Sequence, residues 1–220
     1  LELMLERGQD SPLLRFSLLT RLYDPLMRAA LKEEKFKRRL VEQASIQPGQ
    51  RVLDLGCGTA TLTLLAKQAA PEADVVGLDG DPAVLHIARE KAKQGGVEIT
   101  LIEGMSFSPP FPPESFDRIV SSLVLHHLTT ENKRRTLEQA YRLLKPGGTL
   151  HIADWGQAQN ALMRVAFLGV QLLDGFTTTA DNVAGRLIPL MREAGFADAV
   201  ETHREMTVFG TLALYRATRL

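Results

Sequence analysis

From Arg51 to Asp154, short apolar runs recur at strand-like lengths, and most are separated by amphipathic stretches long enough for a helix. Arg51–Leu55, Ala73–Leu78, Val97–Ile102, Phe116–Ser122 and Thr149–Asp154 read as strands. Thr59–Ala69, Pro82 to about Gln94 and Glu131–Leu144 read as helices. Asp81-Pro82 has the form of an N-cap followed by proline at the first helical position, and Gly95-Gly96 ends that helix. Strands alternating with helices predict an α/β chain with a mostly parallel sheet and helices on both faces. Asn160 to Gly195 reads as mostly helical, broken near Gly175–Thr179. Val200–Phe209 and Thr211–Thr218 then form two strands around Gly210, too close in sequence for a crossover and therefore antiparallel.

Before this region, Ser11 to Ala44 carries apolar residues near helical spacing and is interrupted by Pro25, which predicts two helices. The expected organisation is an N-terminal helical cap over residues 1–47 and a core over 48–220, with a helical insertion near 156–184. A chain of 220 residues buries enough surface for a core without a metal or disulfide. Its 26 basic and 26 acidic residues cancel, against a protein built to grip nucleic acid. One cysteine, Cys57, excludes an internal disulfide framework. Glu2, Glu6 and Arg7 interrupt any signal-peptide pattern, and no apolar run reaches the ~18 residues of a membrane helix. These features predict a cytoplasmic protein, a monomer or homodimer, without stable membrane insertion.

Ligands on such sheets sit beyond the carboxyl ends of the strands. Val52-Leu53-Asp54-Leu55-Gly56-Cys57-Gly58-Thr59 runs an apolar strand into a Gly-x-Gly turn before a helix. Glycine there permits a tight turn and close approach of a ligand to the backbone. The third glycine of the dinucleotide fingerprint is absent, because Thr61 holds its place. Asp54 is a carboxylate near the end of an apolar strand, which points to a polar or cationic ligand. Asp79 closes the second strand about 20 residues beyond the glycine loop, where an acidic side chain can accept both hydroxyls of a ribose.

Together, Asp54 to Thr59, Asp79, Phe116-Asp117, Ser121 to Leu128 and Leu144 to Gly148 resemble the class I S-adenosylmethionine-dependent methyltransferases. The similarity is strongest over Gln50 to Asp154 and favours the small-molecule branch that includes the ubiquinone and menaquinone methyltransferases. Leu190 to Phe196 also looks like this branch. The resemblance implies a Rossmann-like, seven-stranded sheet with an antiparallel last strand. It also implies S-adenosylmethionine as cofactor, S-adenosylhomocysteine as product and a small, partly hydrophobic acceptor. By position, Gly56, Cys57 and Gly58 would lie along the methionine and ribose. Asp54 would help hold the amino group, and Asp79, followed by Gly80, would bind the ribose. Met105 stands where relatives carry an aspartate for the adenine amino group, so adenine would rest on Met105 and the backbone of Ser106. Ser121 and the segment after it would flank the sulfonium.

The sulfonium methyl is already activated, so in-line placement of donor and acceptor is the main requirement and no catalytic triad is expected. His126 is the candidate base and acceptor-facing residue. His127 adjoins it, but neighbouring histidines point in different directions and no third ligand is spaced nearby, so no metal site is expected. Trp155 and Tyr23 would border the acceptor. The N-terminal helices and Phe167 to Phe176 are candidate lids. A non-catalytic methyltransferase-like binding protein and a nicotinamide-dependent oxidoreductase are the alternative readings.

Overall fold

The computed structural model describes residues 33–220; Tyr23 and the earlier helical stretch lie outside them. Helix α1 spans Glu33–Ala44, followed by β1 Arg51–Leu55, α2 Thr61–Ala69, β2 Asp74–Asp79, α3 Pro82–Gln94 and β3 Thr100–Glu103. Next come β4 Phe116–Ser122, a 3-10 turn at Leu125–His127, α4 Thr130–Leu143 and β5 Leu144–Trp155. Helices α5 Ala161–Asp174, α6 Phe176–Val183 and α7 Leu187–Glu193 precede β6 Val200–Thr207 and β7 Gly210–Thr218.

The strands form one sheet in the order β3-β2-β1-β4-β5-β7-β6. The first five are parallel, and β7 runs antiparallel to both β5 and β6. Alternation along each strand sorts the core into two layers. Leu53, Val76, Ile119 and Ile152 face α4 and α7. Val52, Val75, Val120 and Trp155 face α1, α2 and α5. Burial of that kind contributes roughly 1.5–3 kcal/mol per large apolar side chain. Helix α1 belongs to this packing through Phe36, Leu40, Val41 and Ala44.

Three boundaries differ from the sequence expectation. Strand β3 begins at Thr100 rather than Val97, because the Val97 amide closes the end of α3 on the Ala92 carbonyl. Strand β5 begins at Leu144, before the Pro-Gly-Gly turn expected to precede it. There Gly147 and Gly148 exchange backbone hydrogen bonds with Arg219, and a register shift between Phe116 and Arg118 absorbs the extra length. Two breaks rather than one divide the late helices, at Gly175 and again around Gly185.

The chain leaves β1 toward β2 and β3 on one side, then returns to place β4 on the other. The strand order therefore reverses direction between β1 and β4, and the carboxyl ends of these two strands are the usual ligand position in such sheets.

Candidate active site

The turn after β1 is fixed by the backbone of its neighbour. The amides of Gly56 and Cys57 both donate to the Leu78 carbonyl, at 2.8 and 2.9 Å. Gly56 takes φ +77°, and a Cβ on it would sit 2.5 Å from a Val124 methyl group. Only glycine meets both demands. Gly58 also has positive φ, at +54°, but open space lies where its Cβ would be. The Gly58 amide donates to Asp79 Oδ2 at 2.8 Å, and Asp79 Oδ1 accepts from the Asp81 amide at 3.0 Å. Helix α2 then starts after Ala60, itself at φ +61°, with no side chain capping its N-terminus.

Asp54 is fully buried on the α2 face of the sheet. Its Oδ2 accepts a 2.7 Å hydrogen bond from the Thr63 hydroxyl, while Oδ1 is buried without a partner. Burial pushes the carboxyl up to about 6, against the Thr63 hydrogen bond and the charge of Lys37. Cys57 packs its sulfur beside Gly77 of β2, and burial, with Asp54 next, pushes its thiol far up. It is a packing residue without thiolate character.

Beyond β3, the Met105 sulfur lies over Gly80, 2.5 Å from where a Cβ would stand. Ser106 shares a 3.1 Å hydrogen bond with Thr136 of α4. At the end of β4, the buried Ser121 hydroxyl donates to the Leu55 carbonyl at 2.7 Å and ties the two switch-point strands together. Leu123 then adopts φ +58°, a conformation that costs a non-glycine residue of order 1–3 kcal/mol. Its amide is held by the Ala153 carbonyl at 2.8 Å.

Asp154, fully buried at the end of β5, organises the opposite face. Oδ2 accepts from the Leu125 amide at 2.8 Å; Oδ1 accepts from the Trp155 amide at 2.7 Å and the Asn182 side chain at 3.2 Å. His126 Nδ1 lies 2.8 Å from the same Oδ1. Burial opposes charge on both members of this pair, but each outweighs that penalty for the other. His126 is raised and Asp154 lowered relative to their ordinary values. His126 is therefore enclosed between carboxylates, with 4% of its side chain exposed, rather than presented freely to an acceptor. Trp155 is likewise core: it is 2% exposed and its ring packs 5.5 Å from Phe167. Local spacing offered no third donor near the two histidines, but α5 supplies one, Asp174. Sequence reasoning also missed the buried pair of Lys133 on α4 and Asp181 on α6, 3.2 Å apart. Asp154 stands where the sequence places it, at the end of the fifth strand, but its partners His126 and Asn182 come from other elements.

Residues 52–148 match the family model described as a methyltransferase domain. A demethylmenaquinone methyltransferase of Symbiobacterium thermophilum is 31% identical over 212 residues, covering 84% of this chain and 82% of that one. The chain belongs to the class I S-adenosylmethionine-dependent methyltransferases. A demethylmenaquinone methyltransferase of Thermus thermophilus is 30% identical, with 84% and 90% covered. Among solved structures, a methyltransferase from Aquifex aeolicus shares the fold at TM-score 0.63 and 18% identity, covering 84% of this chain and 89% of that one. A Haemonchus contortus phosphoethanolamine N-methyltransferase, solved with phosphomonomethylethanolamine and S-adenosylhomocysteine, has TM-score 0.68 and 16% identity, with 84% and 52% covered.

This methyltransferase uses S-adenosylmethionine. The turn after β1 fits that cofactor: the unpartnered Asp54 oxygen calls for a donor, and the space over Gly58 admits a ligand to the backbone. Among the described residues, no helix is long and apolar enough to cross a membrane.

Proposed function

We propose that this methyltransferase methylates a small, partly hydrophobic acceptor of the hydroxylated-quinol class. The observation that carries the proposal is its 31% identity to a demethylmenaquinone methyltransferase across most of both chains. When bound, S-adenosylmethionine supplies a methyl group already activated on sulfur. The protein's work is then mostly placement, because aligned reactants about 3–3.5 Å apart have already lost most of the orientational freedom that slows reaction in solution.

In this reading Asp54 receives the cofactor's amino group, directly or through water. Gly56, Cys57 and Gly58 lie along its methionine and ribose. Asp79 holds the ribose hydroxyls while bracing Gly58. Gly80, Met105 and Ser106 form the adenine side. Ser121 supports the sulfonium end by fixing β4 to β1. His126, set by Asp154, marks the acceptor side. Neutral net charge and a lone, unpaired cysteine support a small-molecule enzyme of the cytoplasm.

The test is incubation with S-adenosylmethionine and a short-chain demethylmenaquinol, with phosphoethanolamine as the comparison acceptor. A singly methylated quinol in the mass spectrum, with no methylated amine, is expected. Cofactor turnover on the amine alone would overturn the acceptor class.

A further inference from the structure

The turn after β4 and the end of α5 bring two imidazoles and a carboxylate to one point. His126 Nε2 lies 3.6 Å from one Asp174 oxygen, and His127 Nδ1 lies 3.7 Å from the other. The three residues can direct one ligand atom each into a group no more than 4.8 Å across. These separations are long for hydrogen bonds. They are close to the spacing of donors around a metal: tetrahedral bonds of about 2.0–2.1 Å place ligands about 3.3 Å apart. The two contacts run to different oxygens of the carboxylate, so binding one ion would draw all three donors inward from a group up to 4.8 Å across.

Two further features point to a cation. Asp174 has 10% of its side chain exposed, and among the described residues its ion-pair partners are these two imidazoles. No other described residue brings a positive charge to it. His126 is also already oriented as a ligand. Its Nδ1 faces Asp154, so when an incoming cation displaces the Nε2 proton the remaining proton stays on Nδ1 and the Nε2 lone pair is directed toward Asp174. A carboxylate behind a ligating imidazole fixes the tautomer and strengthens the donor. Asp154 is itself immobilised by two backbone amides and Asn182.

We propose that His126 Nε2, His127 Nδ1 and the Asp174 carboxylate bind one divalent transition-metal ion, with Asp154 as the positioning partner of His126. Two nitrogen donors and one oxygen suit Zn²⁺ and neighbouring first-row ions; Mg²⁺ and Ca²⁺ take all-oxygen sets. Three protein donors leave a position free, as in catalytic rather than structural zinc sites. His127 is the exposed member of the group, with 43% of its side chain accessible, so an ion can reach the group from that side. Val124, two residues before His126, packs against Gly56, so the site borders the cofactor turn.

Metal-stripped protein titrated with Co²⁺ tests this without reference to methyl transfer, so it can fail while the proposed acceptor stands. One Co²⁺ per chain is expected, with visible ligand-field absorption. Trp155 is the single tryptophan, and its ring lies 6.2 Å from that of His126, so its fluorescence should be quenched at the same midpoint. Asp174→Asn and His127→Gln, with unchanged circular dichroism, should each weaken binding at least about tenfold. Absence of saturable binding, binding without tryptophan quenching, or wild-type affinity in both folded variants would overturn the site. Should the variants fail to fold, the absorption and quenching titrations of the unaltered chain still decide.

Discussion

Gly58 donates its backbone amide to Asp79 Oδ2 at 2.8 Å, so the residue proposed to bind ribose also holds the turn against which the ribose would lie. The second Asp79 oxygen is engaged by the Asp81 amide, and Asp81 in turn caps α3 through the amides of Ala83 and Val84. One carboxylate thus couples the ends of two strands to the starts of two helices.

Asp79→Ala should weaken S-adenosylhomocysteine binding at least about tenfold, equivalent to 1.4 kcal/mol. Isothermal titration calorimetry measures this directly. Unchanged affinity in the folded variant would remove Asp79 from the cofactor site.

Gly56→Ala should destabilise the protein more than Gly58→Ala. Both place a Cβ at positive φ, a cost of roughly 1–2 kcal/mol. Only the Gly56 substitution also meets Val124. Adding Val124→Ala should recover part of the Gly56→Ala loss and none of the Gly58→Ala loss, read as midpoints in urea.

The raised Asp54 carboxyl gives a stability signature with a definite sign. The folded value is about 6, above the 3.8 of an unperturbed aspartate, so the folded state binds the proton more tightly. Its ionisation therefore destabilises the cofactor-free protein progressively from about pH 4 to about pH 6 and by a constant amount above that. Asp54→Asn keeps an acceptor for Thr63 and removes the charge. Relative to wild type it should gain up to about 3 kcal/mol across that window, measured by urea unfolding at stepped pH. S-adenosylhomocysteine affinity of the wild type should also fall below about pH 6, and Asp54→Asn should lose that dependence.

Cys57 should resist thiol reagents in the native state at mildly alkaline pH and react promptly in denaturant. Burial and the nearby Asp54 disfavour its thiolate. Rapid native labelling, followed by absorbance, would contradict the packing role.

Asp181→Ala should cost about 3–5 kcal/mol, because it leaves the Lys133 ammonium buried without its carboxylate. The double variant Lys133→Met, Asp181→Ala should be more stable than Asp181→Ala alone. Thermal unfolding of the three chains tests this coupling.

The strand and helix pattern was legible because each apolar run had to satisfy a strand's twofold period and each helix its longer one. Phe116–Ser122 matches its expected bounds, and the Asp81 cap is present. Boundaries failed where backbone pairing with distant residues took over. Arg219, at the far end of the chain, draws Gly147 and Gly148 into the ladder and extends β5 through a turn-like sequence.

The glycine turn, Asp54 and Asp79 were visible for a related reason: they are local. A carboxylate in an apolar strand, or one ending the next strand, departs from its neighbours within a few residues. Asp174 carries no such mark, because nothing in the helix around it indicates what it will face. Its position depends on α5 packing back over the turn after β4, which delivers it to His126 and His127 from 48 and 47 residues away. The sequence alone therefore determined the α/β architecture, the family and the glycine turn after β1, all encoded by short-range periodicity and backbone demands. Only the tertiary structure decided that His126 sits between Asp154 and Asp174, that Trp155 is core, and that two adjacent histidines acquire a third donor. Those outcomes depend on which helices cover which strand ends, and that is settled by long-range packing.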